Sequence, residues 1–354
     1  MSNAQNVQVN RDEESWEIEI KGEIVAEALA RHREEALKEL QKTAQMDGFR
    51  PGKAPIDRIV SVYGESPIMR RAAERAIQAE LPELLAKENV VIVEAPRVKT
   101  EDPELGKSLA FTARAPLPPQ IELPEWKTIA HRHNETKEEV TISEEEKFEA
   151  KTHLRRERAR VEKMEAGEEA QKAHEAAKEM EEKDLPQLDE SFAKSIGYES
   201  VEKFEEALAT SMKNEKESQA KQTLRNAILD DLVKEAKIRY PALLKEYELD
   251  DMEGRLREDL ARFGTTFENY LEQVKKTREE VRKEWEAAAD KRARTRLVLS
   301  EIARQEKIVP DEERIERELT HAKEHYKDAD PNNLRAGIAH ALRNEKVLEL
   351  LESQ

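Results

Sequence analysis

No cysteine occurs in the 354-residue chain. That excludes disulfides, thiolate zinc sites and cysteine nucleophiles. Aromatic residues make up only 5% of it, so no large aromatic-lined pocket is implied. Glycine and proline are scarce, 10 and 14 respectively, leaving long stretches that neither residue interrupts. No apolar run approaches the roughly 18 residues of a membrane span. The start, Met1-Ser2-Asn3-Ala4-Gln5-Asn6, has neither the basic nor the apolar region of a secretory signal, and cytoplasm is the default compartment. No P-loop, dinucleotide glycine motif or G-x-S-x-G is present. Nothing calls for a cofactor or a metal.

What is present is charge. Charged residues are 39% of the chain and the net charge is −17, which argues against general nucleic-acid affinity and against a DNA partner. With a mean hydropathy of −0.88 the composition leans towards disorder. However, apolar residues recur at helical spacing through most of the chain, as in thin, solvent-rich helical layers.

Between two helical patterns lies Met46-Asp47-Gly48-Phe49-Arg50-Pro51-Gly52-Lys53-Ala54-Pro55. Two glycines and two prolines in ten positions predict a displayed loop. At its centre an aromatic ring stands beside a planar, permanently charged donor fork, a pairing suited to a protein or RNA surface. Composition equally allows Phe49 to fold back as a local core plug, with Arg50 and Lys53 solvated. Residues 46–75 hold six basic residues (Arg50, Lys53, Arg58, Arg70, Arg71, Arg75) against four acidic ones (Asp47, Asp57, Glu65, Glu74). A small positive region on an acidic chain suits one salt-sensitive contact.

Gly48-Phe49-Arg50-x-Gly52-x-x-Pro55 resembles the ribosome-docking signature of the trigger factor family. The resemblance implies contact with the large ribosomal subunit near the tunnel exit through Gly48, Phe49, Arg50, Pro51, Gly52, Lys53 and Pro55. Pro51 departs from the family, which often carries a basic residue there.

In chain order, Trp16–Ile20 alternates with period two and reads as a strand. Val25, Leu29, Ala36, Leu37, Leu40 and Ala44 line a helix ending before Gly48. Pro55 opens a short helix, and a third begins near Ser66, with a kink or split expected at Pro82. Val90–Val93 and Leu109–Ala113 read as strands. This α+β domain, residues 1–117, matches the family's ribosome-binding domain in element order. Pro116, Pro118, Pro119 and Pro124 then give an extended linker, and Lys127–His133 reads as a short strand whose two histidines share one face.

Residues 140–185 decide the enzyme question. Relatives usually carry an FK506-binding-type prolyl-isomerase head at this place. Here the 46 residues contain one Phe, one Gly, and no Trp or Tyr, from which no aromatic proline pocket can be built. Ala150, Leu154, Val161 and Met164 form one stripe, and Ala170, Ala173, Ala177 and Met180 a second, displaced by two residues or about 200° on a continuous helix. A turn at Ala166-Gly167 would bring the stripes face to face, predicting a helical hairpin within residues 118–185. The rival is one long, bent helix.

Residues 186–354 resemble the family's mainly α, elongated, arm-forming C-terminal domain. Long apolar stripes are punctuated at Gly197, Pro241, Gly264, Pro310 and Pro331, too often for a sustained coiled coil. Phe263, Phe267, Tyr270 and Tyr326 are candidate client-facing residues, although helical spacing also suits them to the arm core. His321-Ala322-Lys323-Glu324-His325 has zinc-like spacing but lacks the Glu that the zincin motif places after the first His, so it reads as a solvated helix face.

The resulting expectation is an ATP-independent chaperone that docks on the ribosome and shields nascent polypeptides, without an isomerase head. The rivals are a prolyl isomerase by family label and a free cytosolic holdase. The resemblance leaves a homodimer off the ribosome open, and it implies no membrane partner.

Overall fold

The computed structural model describes residues 3–44, 49–50, 52–136, 139–326 and 329–354. The chain forms two compact units, one of Met1–Pro124 with Glu235–Lys307 and one of Glu125–Lys234 with Ile308–Gln354.

The first unit is built on four antiparallel strands in the order β1-β2-β4-β3. These are β1 (Ala4–Asp12), β2 (Glu17–Ile24), β3 (Arg97–Thr100) and β4 (Leu109–Pro116). The pairing sets Ile18 opposite Ala115, Ile20 opposite Ala113 and Ile24 opposite Leu109. Period-two alternation thus gives the sheet one apolar face. Gly22 lies opposite Phe111; a Cβ there would sit 3.1 Å from the ring, so the aromatic fills the space that glycine leaves. Helices α1 (Ala26–Thr43), α2 (Ile56–Tyr63) and α3 (Glu65–Lys87) follow β2. Ala28 and Leu29 of α1 and Met69, Ala72, Ala76, Leu81 and Leu84 of α3 cover the apolar face.

Two expectations for this region change, and one strand was not foreseen. Val90–Val93 is not a strand. Asn89 has φ 51°, and the Val90 amide donates to the Leu85 carbonyl at 2.9 Å. The run closes α3 and leans Val90 and Ile92 on the core; the third strand forms later, as β3. Pro82 does not split α3, which continues to Lys87. Burial of Leu81, Leu84 and Leu85 offsets the cost of an interior proline, about 3 kcal/mol. The polar β1 carries no sequence pattern that announces it.

After Pro116 a short strand, β5 (Gln120–Glu122), pairs with β6 (Lys237–Arg239). Between these strands the chain passes through the second unit. The rest of the first unit consists of α9 (Ala242–Arg262), α10 (Phe267–Val274) and α11 (Arg278–Gln305). Gly264 takes φ 72° after α9, and its amide and that of Thr265 bond back into the last turn, a glycine-ended helix as the sequence implies. Thr277 and Glu280 form a reciprocal capping box on α11.

The second unit begins with α4 (Trp126–Glu135), where a strand is expected. Trp126, Ile129 and Ala130 are buried, an i, i+3, i+4 set that only a helix brings to one face. Its histidines therefore diverge. His131 meets Glu135 at 3.3 Å and His133 meets Asp231 at 2.9 Å.

Then come α5 (Glu144–Glu165) and α6 (Ala170–Glu179), which fold back on each other. Gly167 has φ 97°, and its amide and that of Glu168 donate to the carbonyls of Met164 and Lys163 at 3.0 and 3.1 Å. This is the helical hairpin, turning at Gly167. Its seam differs from the expected stripe on α5. Ala159, not Val161 or Met164, packs on Ala177 and Leu185, and Val161 and Met164 are exposed. Arginines explain this. Arg155 donates to the carbonyls of Glu182, Leu185 and Pro186 at 2.7–3.0 Å, and Arg158 reaches Asp189 at 3.0 Å. The returning chain is held by backbone acceptors as much as by apolar contact.

The unit is completed by α7 (Glu190–Ser195), α8 (Val201–Glu235), α12 (Glu312–His325) and α13 (Pro331–Glu352). Pro331 stands at the first helical position of α13, where its missing amide costs nothing.

Candidate functional site

The loop between α1 and α2 is fixed at its far side. Ala54 is buried with Leu37 of α1, Ile59 of α2 and Ile68 of α3. The Gln41 side-chain amide donates to the Ala54 carbonyl at 2.7 Å. Pro55 caps α2, its carbonyl accepting from the amides of Arg58 and Ile59 at 3.1 and 3.2 Å.

Nearer the tip, the Lys53 amide donates to the Arg50 carbonyl at 3.0 Å, and Gly52 has φ 83°. A Cβ at Gly52 would meet nothing within 4 Å. Glycine is therefore required by the backbone angle, not by space. Gly48 and Pro51 lie outside the described residues.

Phe49 is 40% exposed and Ile56 45%, so neither ring nor branched chain plugs the core. Arg50, Lys53 and Arg58 are also exposed. The charge balance sharpens at this point. Arg33 bonds Glu65 bidentately, Arg75 holds Glu39 and Glu35, and Arg70 meets Asp102 at 3.1 Å. Those hydrogen bonds hold the carboxyls of Glu39 and Glu65 below their ordinary range. Arg50, Lys53 and Arg58 have no carboxylate partner among the described residues. The tip thus displays an aromatic ring, an aliphatic side chain and three exposed cations on an anchored base.

The candidate client-facing residues separate. Phe263, the C-cap of α9, is 86% exposed. Phe267 is 3% exposed, stacked on Tyr270 at 6.2 Å, with the Arg257 guanidinium 4.2 Å from its centroid. Tyr270 is half-buried beside it, and Tyr326 at the end of α12 is exposed. The rings of His321 and His325 stand 4.8 Å apart on an exposed face of α12. Among the described residues no group of three or more His, Asp or Glu could hold a metal ion. Ile56 was not marked by sequence; the signal was its place one residue after Pro55, in the first turn of α2.

Two family models match the chain: bacterial trigger factor protein over residues 5–153 and bacterial trigger factor protein C-terminus over residues 200–352. The chain belongs to the trigger factor family. The trigger factor of Thermobifida fusca is 32% identical over 123 residues, covering 35% of this chain and 25% of the relative. That of Bacillus pumilus is 27% identical over 124 residues, 35% of this chain and 28% of the relative. The chain therefore aligns with about a quarter of the length of the curated trigger factors it matches. A solved structure from work on promiscuous substrate recognition in folding and assembly activities of the trigger factor chaperone superposes with TM-score 0.53. It covers 98% of this chain and 99% of its own at 16% identity, a likeness of fold. The α5–α6 hairpin straddles the end of the first matched region and the stretch between the two. No helix among the described residues is long and apolar enough to cross a membrane.

Proposed function

We propose that this trigger factor family member is a cytoplasmic chaperone that docks on the large ribosomal subunit beside the tunnel exit and shields emerging polypeptides without nucleotide. In functional terms residues 1–117 dock, residues 118–185 link and carry the hairpin, and residues 186–354 hold clients. The observation that carries the reading is the exposed Phe49-Arg50 tip on a base anchored through Ala54 and Gln41. Phe49 and Ile56 supply apolar contact, while Arg50, Lys53 and Arg58 face ribosomal phosphates or acidic side chains. Gly52 and Pro55 shape the loop, and the family resemblance adds Gly48 and Pro51 to the docking set. Clients are met by many weak apolar contacts, Phe263 and Tyr326 among them, which delay collapse. Docking is weak and salt-sensitive because few charges take part in it.

No isomerase chemistry is assigned to the hairpin. Its seam is alanine and arginine–carbonyl bonding.

The test is co-sedimentation with vacant bacterial 70S ribosomes at low and moderate salt. The parent pellets with ribosomes, and Phe49→Ala/Arg50→Ala lowers the bound fraction at least tenfold. If both pellet equally, the loop is not the docking site. If neither pellets, the chaperone acts free of the ribosome.

A further inference from the structure

One strand edge of the first unit is open. β3 pairs with β4 through Arg97–Thr100, and among the described residues no backbone group bonds its other side. Alternate residues of such a strand turn an amide and a carbonyl outward, a template for another strand.

Beside that edge lies an open cleft of about 660 Å³ between β3 and the flank of α3. Ile77, Leu81, Ile92, Pro96, Val98 and Thr100 line it. Val98 and Thr100 sit opposite Ala113 and Phe111 of β4, so they share the apolar side of the sheet. Val98, on this edge, is exposed, as are Val91, Val93 and Leu105 in the segments that flank β3 in sequence. An exposed apolar side chain on an open strand edge beside an apolar cleft is one that folding alone does not use.

We infer that the β3 edge and its cleft bind an extended polypeptide segment as an added strand, with apolar side chains at alternate positions entering the cleft. The inference rests on the chaperone reading above and names a client conformation for it. Backbone hydrogen bonds supply affinity independent of sequence, and the cleft supplies the preference for alternation. The opposite face sets the charge. Arg97 bonds Glu17, and Lys99 has no carboxylate partner among the described residues. Residues between the apolar ones are therefore neutral or acidic. Four strand residues span about 13 Å, so one short stretch of client suffices.

A second copy of the chain fits less well. Antiparallel self-pairing that keeps Val98 on the cleft side sets Arg97 and Lys99 of one copy beside those of the other, like charges across a strand pair.

The test uses the full chain and a fluorescein-labelled ten-residue peptide with valine at alternate positions and serine or glutamate between. Fluorescence anisotropy rises saturably with the parent. Val98→Glu weakens binding at least tenfold with unchanged circular dichroism, whereas Val309→Glu, an exposed site elsewhere, does not. The same peptide N-methylated throughout also loses at least tenfold, because its donors are gone. Equal binding by folded Val98→Glu, equal binding of the N-methylated peptide, or no binding at all overturns the inference. So does self-association that Val98→Glu abolishes and the peptide competes with, which assigns the edge to a second copy. Ribosome co-sedimentation and suppression of client aggregation are measured on the same preparations. If they persist while peptide binding fails, only the strand-addition inference falls; if they fail too, the functional reading falls.

Discussion

The side-chain amide of Gln41 donates to the carbonyl oxygen of Ala54 over 2.7 Å. It ties the last turn of α1 to the far end of the loop that carries Phe49 and Arg50. The acceptor belongs to a buried residue, so no water stands ready to replace the donor. The Ala54 end of the loop is therefore fixed to α1, and under the docking reading that lowers the ordering cost of contact.

Gln41→Ala removes that donor and leaves the carbonyl unsatisfied, costing about 1 kcal/mol of stability. Ribosome co-sedimentation falls a few-fold, less than for Phe49→Ala/Arg50→Ala, because the contact groups remain and only their preorganisation is lost. A urea titration and the pelleting assay on one preparation read both effects. Undiminished docking would show that the tether is unimportant.

Gly167 and Gly254 give opposite results with the same substitution. Gly167 has φ 97° with open space around it. Alanine there is strained by about 1–2 kcal/mol, loosening the α5–α6 hairpin. Gly254 lies within α9, and nothing is within 4 Å of a Cβ there. Alanine at that position stabilises by roughly 0.5–1 kcal/mol through helix propensity. Denaturant midpoints, with hydrogen exchange on α6 for the first variant, separate the two.

Much of this was legible because glycine, proline and capping residues mark boundaries wherever tertiary contacts do not overrule them. Gly167, Gly264 and Pro331 end or open helices where their backbone preferences demand. The Ser143–Glu146 capping box opens α5 as its spacing implies. The failures share one cause. Val90–Val93 is β-prone, yet it serves the core at the end of α3. Lys127–His133 has no strong alternation, and Trp126 and Ile129 decide its helix. The hairpin was readable from Gly167, but its seam was not, because Arg155 bonding to backbone carbonyls leaves no apolar signature. At the candidate site Phe49 and Arg50 stood out by type, whereas the role of Gln41 depends on a contact thirteen residues away.

The hairpin bears on catalysis. The parent chain leaves the rate of cis–trans isomerisation of a proline tetrapeptide at its uncatalysed value, tens to hundreds of seconds at 25 °C. A protease-coupled assay measures it, with a separate prolyl isomerase as positive control. Acceleration proportional to chain concentration would place an isomerase site on a surface other than an aromatic pocket in this segment.

Glu253 makes stability pH-dependent. Its burial on α9 pushes its pKa up, but hydrogen bonds from Arg278, Arg257 and Arg282 outweigh that and hold it below the ordinary value. A carboxyl depressed in the folded state contributes fully above its unfolded pKa of about 4.3. The contribution is lost as pH falls through the lower folded value. Glu253→Gln leaves the arginines without their shared anion and costs about 1.5 kcal/mol near neutrality. Between pH 6 and pH 3.5 the parent loses stability more steeply than the variant. Parallel urea midpoints across that range would remove Glu253 from the account.

Phe263 and Phe267 are four residues apart and have opposite environments. Phe263 is 86% exposed and Phe267 3%. Phe263→Ser changes stability by no more than about 0.5 kcal/mol, as a surface substitution does. It also weakens suppression of client aggregation, since an exposed ring is the kind of contact an unfolded chain can use. Phe267→Ala removes a ring stacked on Tyr270 and covered by Arg257, costing about 3–5 kcal/mol and loosening α10 from α9. Thermal unfolding and light scattering of an aggregating client distinguish the two. Unaltered suppression by folded Phe263→Ser would take that ring out of the client surface and leave Tyr326 to be tested in its place.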